Sequence, residues 1–237
     1  MAANHTSTTR IQATGLTKRF GSTVAVDAAS LTIRDGESVA IMGPSGSGKT
    51  TLLHVVAGIT SADAGEVMLR TDTGSVEVTS LSDRERSTLR LNEFGFVFQQ
   101  GLLIPELTAT ENVALPLLLK SVPRAEAMER GEELLAGLGI GGLGGRRIGQ
   151  LSGGQAQRVA IARAKATGAR VIFGDEPTGA LDSRTARDVL EALLTATVGQ
   201  GRSLVVVTHD EDVAAQCSRV VRLHDGRIVD DGEGNQR

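Results

Sequence analysis

Three short and strongly apolar segments occur along the chain, each followed directly by glycine or by polar residues. They are residues 39–42, 171–173 and 204–207. A continuous apolar run of this length, ended by turn-forming or polar residues, is typical of a strand buried on both faces of a parallel sheet. The pattern therefore predicts three buried strands of one sheet.

Segments with the apolar spacing of helices separate these runs. An apolar helix is predicted over residues 49–56, a second over 124–138, where Ala, Glu and Leu dominate, and a third near 185–195. The glycine-rich residues 139–145 predict a connector after the second helix. Helices that alternate with buried strands indicate an α/β fold.

Two further segments predict strands of another kind. Residues 66–70 are expected in a smaller antiparallel sheet, and Asp225-Gly226 between the mainly apolar residues 220–223 and 228–229 predicts a β-hairpin. We therefore predict one domain, residues 10–232, in which a helical subdomain interrupts a parallel-sheet core that also carries an antiparallel β subdomain. The predicted boundaries are 10–90 and 165–232 for the core with its β subdomain, 91–164 for the helical insertion, and 1–9 and 233–237 for flexible tails.

Composition excludes several classes of protein. The chain has 237 residues, 40% of them hydrophobic, with a net charge of −3, so there is no basic field of the kind that binds nucleic acid. The single cysteine, Cys217, excludes a disulfide framework and a cysteine-rich zinc module. The longest apolar candidate, residues 113–119, is too short to span a bilayer, and the first ten residues lack the apolar run of a signal peptide. We expect a cytoplasmic protein unless a partner brings it to a membrane.

A phosphate-binding loop is predicted between the first buried strand and the first helix. The sequence there is Gly43-Pro44-Ser45-Gly46-Ser47-Gly48-Lys49-Thr50, followed by Thr51. It fits G-x-x-x-x-G-K-[ST], in which glycines let backbone N–H groups surround the β-phosphate at the positive end of a helix. Lys49 can then reach the β- and γ-phosphates, and the Thr50 hydroxyl can ligate Mg²⁺. A chance match in a chain with 29 glycines is the alternative, and the strand–loop–helix context argues against it.

Adjacent carboxylates end the second buried strand. Asp175 and Glu176 are costly at this position unless a cation lies nearby. Beside a phosphate loop, Asp175 is expected to hold Mg²⁺ directly or through water, and Glu176 to polarise the attacking water. The alternative is an Asp-Glu-Pro turn that only ends the strand.

A single histidine, His209, ends the third buried strand. Most lone histidines are structural, but this strand should lie beside the strand of the phosphate loop, at the sheet edge where α/β proteins bind ligands. We expect His209 to contact the γ-phosphate. The other histidines, His5, His54 and His224, have no such context and are interpreted as surface or packing residues.

A second glycine-containing helix start follows the predicted insertion. Leu151 and the residues Ser152, Gly153, Gly154 and Gln155 precede a helical segment, and together they resemble the signature of the ATP-binding cassette family. The resemblance implies a P-loop NTPase (RecA-like) fold, and ATP hydrolysis in a head-to-tail dimer in which this segment closes over the ATP of the partner copy. A helix cap with incidental glycines is the alternative.

The remaining motifs of the resembling family follow in order. Phe20 matches the aromatic residue that stacks on adenine, with a core phenylalanine as the alternative. Gln99 matches the glutamine that senses the metal site, and Gln100 beside it is the alternative. Asp182, in Gly179-Ala180-Leu181-Asp182, matches the loop that crosses the dimer interface. The resemblance thus implies catalytic roles for Lys49, Gln99, Glu176 and His209 and metal ligation by Thr50, Gln99 and Asp175.

Within the family, the segment after Gln99 resembles the lipoprotein-releasing and macrolide-exporter cassettes. The resemblance to the family as a whole covers residues 11–230. The resemblance to these cassettes implies an integral membrane permease partner, a location at the cytoplasmic face of the membrane, and a coupling helix received at residues 102–119, for which an ordinary loop and helix of the insertion is the alternative. The sequence departs from the residues usual in these cassettes at four positions away from the phosphate contacts, namely Ile148, Gly149, Ala156 and Lys165.

Soluble cassette ATPases are the second hypothesis. Those of DNA repair and chromosome maintenance carry long coiled coils or CxxC zinc modules, for which this chain has neither the length between Gln99 and Ser152 nor the cysteines. Ribosome-acting cassettes usually hold two cassettes in one chain, and only one is present here. A binding module without turnover is disfavoured because Glu176 and His209 are both in place.

Overall fold

A computed structural model describes residues 8–99 and 101–232 of the chain. Gln100, His5 and most of the two predicted tails lie outside the described residues. The strands are β1 (Thr9–Phe20), β2 (Thr23–Arg34), β3 (Ser38–Met42), β4 (Ala64–Thr71), β5 (Gly74–Glu77), β6 (Phe94–Phe98), β7 (Val171–Asp175), β8 (Ser203–Val207), β9 (Arg219–His224) and β10 (Arg227–Asp230). The helices are α1 (Lys49–Val56), α2 (Asp83–Glu93), α3 (Ala109–Leu119), α4 (Arg124–Gly137), α5 (Gly153–Lys165), α6 (Ser183–Ala196) and α7 (Glu211–Ala214).

The larger sheet has the order β10-β9-β3-β8-β7-β6, and only the pairing of β10 with β9 is antiparallel. The three predicted buried strands are confirmed as β3, β7 and β8. Strand β3 lies between β8 and β9, with Ile41 opposite both Val207 and Val221. All five residues of β3 and of β8 are buried, because helices or the second sheet cover both faces. The carboxyl ends of β3, β7 and β8 therefore meet at one edge of the sheet.

Strand β6 falls inside residues 91–164, which the sequence pattern assigned to the helical insertion. The structure instead places β6 in the core sheet, where Phe96 lies opposite Phe173 of β7. The physical reason is its composition, because aromatic and β-branched side chains fit a pleated, buried surface. Thr9 was also assigned to a flexible tail, but it pairs with Arg34 at the start of β1.

A four-stranded antiparallel sheet of order β2-β1-β4-β5 forms the β subdomain. The strand predicted at residues 66–70 is confirmed as part of β4. Inward-facing residues of this sheet, including Ile11, Leu16 and Ile33, form one hydrophobic cluster with Leu52 and Leu53 of α1. Helix α1 is therefore held between the two sheets, and this fixes the loop that precedes it.

Helices α3, α4 and α5 form the inserted helical region, and α5 packs directly on the core sheet. Their apolar residues share a second hydrophobic cluster with β7 and β8. The predicted helices over 124–138 and 185–195 and the hairpin at Asp225-Gly226 are confirmed as α4, α6 and the β9–β10 turn. Among the described residues, no helix combines the length and the apolar character needed to cross a bilayer.

The close approach of α5 to β6 depends on Gly95. A Cβ atom built at Gly95 would lie 2.2 Å from the backbone oxygen of Ala164 and 2.6 Å from Cδ1 of Ile172. We expect Gly95→Ala to lower the free energy of unfolding by about 1–3 kcal/mol, because helix and strand must separate to admit the methyl group. Urea titration followed by circular dichroism measures this change.

The matched control is Gly137→Ala, at the last residue of α4. A Cβ atom there meets nothing within 4 Å, and alanine is the better helix former. This variant should be as stable as the original protein or slightly more stable. Equal stability of both variants would show that the α5–β6 contact is not tight.

Candidate functional site

The loop between β3 and α1 is shaped by two glycines whose conformations exclude side chains. Gly43 and Gly48 have φ angles of +153° and +99°. A Cβ atom would lie 2.1 Å from the backbone oxygen of Leu223 at Gly43, and 2.0 Å from that of Ala25 at Gly48. The loop therefore lies against strands β9 and β2 with no room for a side chain. Both positions belong to the predicted phosphate loop.

The side chain of Lys49, the first residue of α1, extends back along this loop. Its Nζ atom donates hydrogen bonds of 2.8 Å to the backbone oxygens of both Gly43 and Pro44. Only 7% of the residue is exposed. The ammonium group is thus held over the loop, in position to meet an anion that enters it.

Oxygen ligands converge where α1 faces the end of β7. The Thr50 hydroxyl donates a hydrogen bond of 3.0 Å to Oδ1 of Asp175. Burial raises the pKa of the Asp175 carboxyl above its ordinary value, although the bond from Thr50 acts in the opposite direction. Hydroxyl and carboxylate oxygens are ligands that Mg²⁺ prefers, so these residues fit that ion.

Glu176 and His209 contact each other across the ends of β7 and β8. Nδ1 of His209 lies 3.2 Å from Oε1 of Glu176. The Glu176 N–H donates to the backbone oxygen of Val207 at 2.9 Å, which fixes the acid to the neighbouring strand. Glu176 also has a φ angle of +47°, and for a residue other than glycine such strain is most common at functional sites.

A cavity of about 660 Å³ joins the loop to this pair. Its lining residues come from β2, the phosphate loop, α1 and the ends of β7 and β8, namely Ala25, Ser45, Gly46, Gly48, Lys49, Thr50, Thr51, Glu176 and His209. Gln99 lies close to it, because a Cβ atom built at Gly179 would be 3.0 Å from Gln99 Nε2 and 3.2 Å from Glu176 Oε2. The structure therefore brings together most residues that the sequence predicted to bind and hydrolyse a nucleotide.

Phe20 is not a core residue. It ends β1 opposite Thr23 of β2, and 54% of the residue is exposed. The Lys18 ammonium lies 5.6 Å from the ring centroid. An exposed aromatic face of this kind can stack on a planar base.

The predicted signature segment is separate from this cavity. Ser152 begins α5 as its N-cap and forms a capping box with Gln155, while Ser152 and Gly153 are exposed. Gly154 is buried, since a Cβ atom there would lie 2.5 Å from Cγ2 of Thr185. None of the described residues that line the Lys49 cavity belongs to this segment. A second helix N-terminus thus lies exposed, outside the Lys49 cavity of its own chain.

Asp182, at the start of α6, acts locally as a helix cap. Its side chain accepts hydrogen bonds of 3.1 Å from the N–H groups of Arg184 and Thr185. The bond to Thr185 lowers the pKa of the Asp182 carboxyl. It is also absent from the lining of the Lys49 cavity.

Two polar residues of α5 that the sequence analysis did not single out contact the chain around Gln99. Gln157 donates from Nε2 to the backbone oxygen of Phe98 at 2.9 Å, and Arg163 donates to those of Gly101 and Leu102. Their signal in the sequence is weak, because it consists only of polar residues in a helix with many buried alanines.

Comparison with known proteins decides the family. The family model described as "ABC transporter" matches residues 26–179, which is more than half of the chain. The chain belongs to the ATP-binding cassette transporter family. The family and fold predicted from the sequence are therefore confirmed, and the chain is an ABC-type cassette that binds and hydrolyses ATP.

Two relatives of this cassette differ strongly in length, one being similar to this chain and the other much longer. The chain is 44% identical to the lipoprotein-releasing system ATP-binding protein LolD of Nitrobacter winogradskyi over 190 residues, 80% of each chain. It is 45% identical to the macrolide export ATP-binding/permease protein MacB of Marinobacter nauticus over 81% of its own length but only 29% of that protein. The chain thus spans less than a third of the macrolide export relatives.

Solved structures of another cassette have the same fold. The dimeric structure of a post-hydrolysis state of the ATP-binding cassette MJ0796, bound to ADP and Pi, has a TM-score of 0.83. It is 39% identical and covers 93% of this chain and 97% of that one. A second dimeric structure of MJ0796, a bacterial ABC transporter cassette, has a TM-score of 0.84.

Proposed function

We propose that this cassette is the ATPase subunit of a membrane transporter or mechanotransmission complex, and that it works as a head-to-tail dimer of two copies. One observation carries the proposal. The cavity around Lys49 and the exposed N-terminus of α5 lie apart in one chain, which supports a second copy as the molecule that completes each of them. The dimeric MJ0796 structures support this arrangement.

Within one copy, the loop and Lys49 bind the phosphates of ATP. The Lys49 ammonium exchanges its bonds to the Gly43 and Pro44 oxygens for bonds to phosphate oxygens, which carry full charge and bind it more strongly. Thr50, Asp175 and Gln99 would hold Mg²⁺, which neutralises charge on the phosphates. Phe20 stacks on the adenine ring.

Glu176 and His209 act on the attacking water. The Glu176 carboxylate accepts a hydrogen bond from the water and orients it in line with the γ-phosphate. His209 holds that carboxylate through the 3.2 Å contact and donates to the γ-phosphate. Removal of either residue is expected to slow the chemical step more than it weakens ATP binding.

The partner copy closes the site. Ser152, Gly153 and the exposed N-H groups at the start of α5 contact the γ-phosphate of the ATP bound by the other copy. Asp182 caps α6 directly after Leu181, whose Cδ2 atom would lie 3.1 Å from a Cβ atom at Gly153, so it contributes to the same interface. Closure then depends on the γ-phosphate, so that hydrolysis reopens the dimer.

A groove of about 540 Å³ near α3 is the proposed seat of a helix from the permease. Its apolar lining comes from α2, α3 and β6 and includes Leu91, Phe94, Pro116 and Leu119, and polar residues such as Arg84, Arg90 and Arg163 also line it. Leu119 is 66% exposed and lines this groove, so its side chain extends the apolar surface that a helix could cover. The MacB relative, named an ATP-binding/permease protein, supports a permease as the occupant. This docking would place the cassette at the cytoplasmic face of the membrane.

The test is affinity capture of the tagged cassette from detergent-solubilised native membranes, with ATPase activity measured on the eluate. We expect an integral membrane protein to co-purify and to stimulate hydrolysis. Leu119→Gln should weaken that capture by about tenfold or more, because the burial of one leucine contributes about 1.5–3 kcal/mol.

The matched control is Val229→Gln on β10, since Val229 is 65% exposed but lies outside the groove. It should leave capture unchanged. A cassette that is active alone and captures no membrane protein would overturn the permease proposal and favour a soluble ATPase of DNA repair or chromosome maintenance.

A further inference from the structure

Leu102, three residues after Gln99, has a backbone conformation that is unfavourable for its residue type. Gly101 and Leu102 have φ angles of +67° and +45°. Leucine rarely adopts the left-handed region, so the surrounding structure must impose it. The Leu102 side chain is 61% exposed, and packing of that side chain therefore does not impose it.

The side chain of Arg163 on α5 holds the backbone at Gly101 and Leu102 in this conformation. Its guanidinium donates from Nη2 to the backbone oxygen of Gly101 at 2.6 Å and from Nη1 to that of Leu102 at 2.7 Å. The planar fork of arginine suits two adjacent acceptors, whereas a lysine ammonium has no such geometry. Both residues with positive φ angles are thus fixed by one side chain.

Burial of this guanidinium is costly. Desolvation lowers the pKa of Arg163, and no carboxylate among the described residues offsets that effect. The two bonds to backbone oxygens stabilise the folded chain, but the desolvation of the half-buried cation offsets part of what they contribute. Folding alone therefore gives only part of the reason for an arginine at this position.

The same helix also holds the chain on the other side of Gln99. Gln157, which is only 3% exposed, donates to the backbone oxygen of Phe98 at 2.9 Å. The two side chains of α5 thus bracket Gln99, one before it and one after it. Helix α5 begins at the exposed signature segment, so one rigid element joins both segments.

We propose that Arg163 is a positioning residue for hydrolysis, which fixes Gln99 in its own ATP site and ties it to the signature helix that serves the partner's site. Gln99 and the start of α5 then move together when the dimer closes. This inference rests on the proposed role of Gln99 at the metal site and deepens it.

Arg163→Met tests the inference, because it keeps the length of the side chain and removes both donors. The affinity for ATP without metal should match that of the original protein, and the thermal unfolding midpoint should fall only slightly. Single-turnover hydrolysis should slow by about tenfold or more, with KM for ATP little changed, because a displaced group costs rate rather than ground-state binding. Mn²⁺ binding in the presence of a non-hydrolysable ATP analogue, followed by electron paramagnetic resonance, should weaken several-fold.

Two further variants separate positioning from folding. Arg163→Lys should recover part of the rate, because one ammonium can reach one of the two oxygens. Arg158→Met is the matched control on the same helix, since Arg158 donates to the backbone oxygen of Leu138 at 2.8 Å, away from Gln99. It should leave hydrolysis and Mn²⁺ binding unchanged.

An Arg163→Met protein with normal hydrolysis and normal Mn²⁺ binding would overturn the inference. A loss of activity that is fully explained by a lower unfolding midpoint would also overturn the inference. Neither outcome affects the proposed function, which is tested separately by the capture of a membrane protein and by the sharing of each ATP site between two copies.

Discussion

Glu176→Gln is expected to abolish steady-state ATP hydrolysis while it leaves ATP binding intact. The amide has nearly the shape of the carboxylate, so the contact with His209 and the strained turn at Glu176 can persist. It cannot accept a proton from water, and the loss of such a base lowers rates by about 10²–10⁴-fold. Because the γ-phosphate is no longer removed, the ATP-bound dimer should accumulate.

The measurement combines a phosphate-release assay with size-exclusion chromatography and light scattering, with and without Mg·ATP. Glu211→Gln is the matched control, because Glu211 lies near His209 in the chain but is exposed and pairs with Arg222. It should hydrolyse ATP normally and show no trapped dimer. Normal turnover by Glu176→Gln would refute the role proposed for Glu176.

Lys49→Met should weaken ATP binding by about 10–100-fold, because charge-assisted hydrogen bonds contribute about 1.5–3 kcal/mol each. Methionine fills the space of the buried lysine stem, so the loop should keep its packing. The ammonium that now bonds to Gly43 and Pro44 is lost, and with it the contact with the β- and γ-phosphates. Hydrolysis should fall at least as far as binding.

Titration of a fluorescent ATP analogue measures the affinity, and thermal unfolding checks that the variant is folded. Lys120→Met, at an exposed position after α3, is the control and should bind ATP as the original protein does. If Lys49→Met bound ATP with unchanged affinity, the loop between β3 and α1 would not be the phosphate site.

The core strands were predictable because burial on both faces leaves a continuous apolar run. Strands β3, β7 and β8 show that pattern, and their parallel order then brings Gly43, Asp175 and His209 to one edge. Strand β6 was assigned to the insertion because its neighbours in the sequence are helical. Its place in the sheet depends on pairing with β7, which is a non-local contact.

The candidate site was predictable where its chemistry lies in short contiguous motifs. The phosphate loop, the Asp175-Glu176 pair and the segment at Ser152 need particular residue types in a fixed local order. Contacts such as those of Arg163 with Gly101 and Leu102 join positions about sixty residues apart, and nothing in the local sequence indicates them. The exposure of Phe20 likewise depends on where the β1–β2 hairpin lies in the folded protein, because Phe20 is the last residue of β1.

The central claim is that each ATP site is shared by two copies of the chain. Two inactive variants test it when they are mixed. Lys49→Met damages the phosphate loop, and Ser152→Asp places a negative charge beside the partner's γ-phosphate while an aspartate still caps α5. In a head-to-tail dimer of one copy of each, both defects fall in the same site and the other site is intact.

The most direct measurement is therefore the ATPase rate of an equal mixture of these two proteins. Half of randomly formed dimers contain one copy of each, with one intact site of two, so the mixture should recover about a quarter of the original activity. Each variant alone should stay inactive. A mixture that remains as inactive as its components would contradict the shared site and would mean that Ser152 serves the ATP of its own chain.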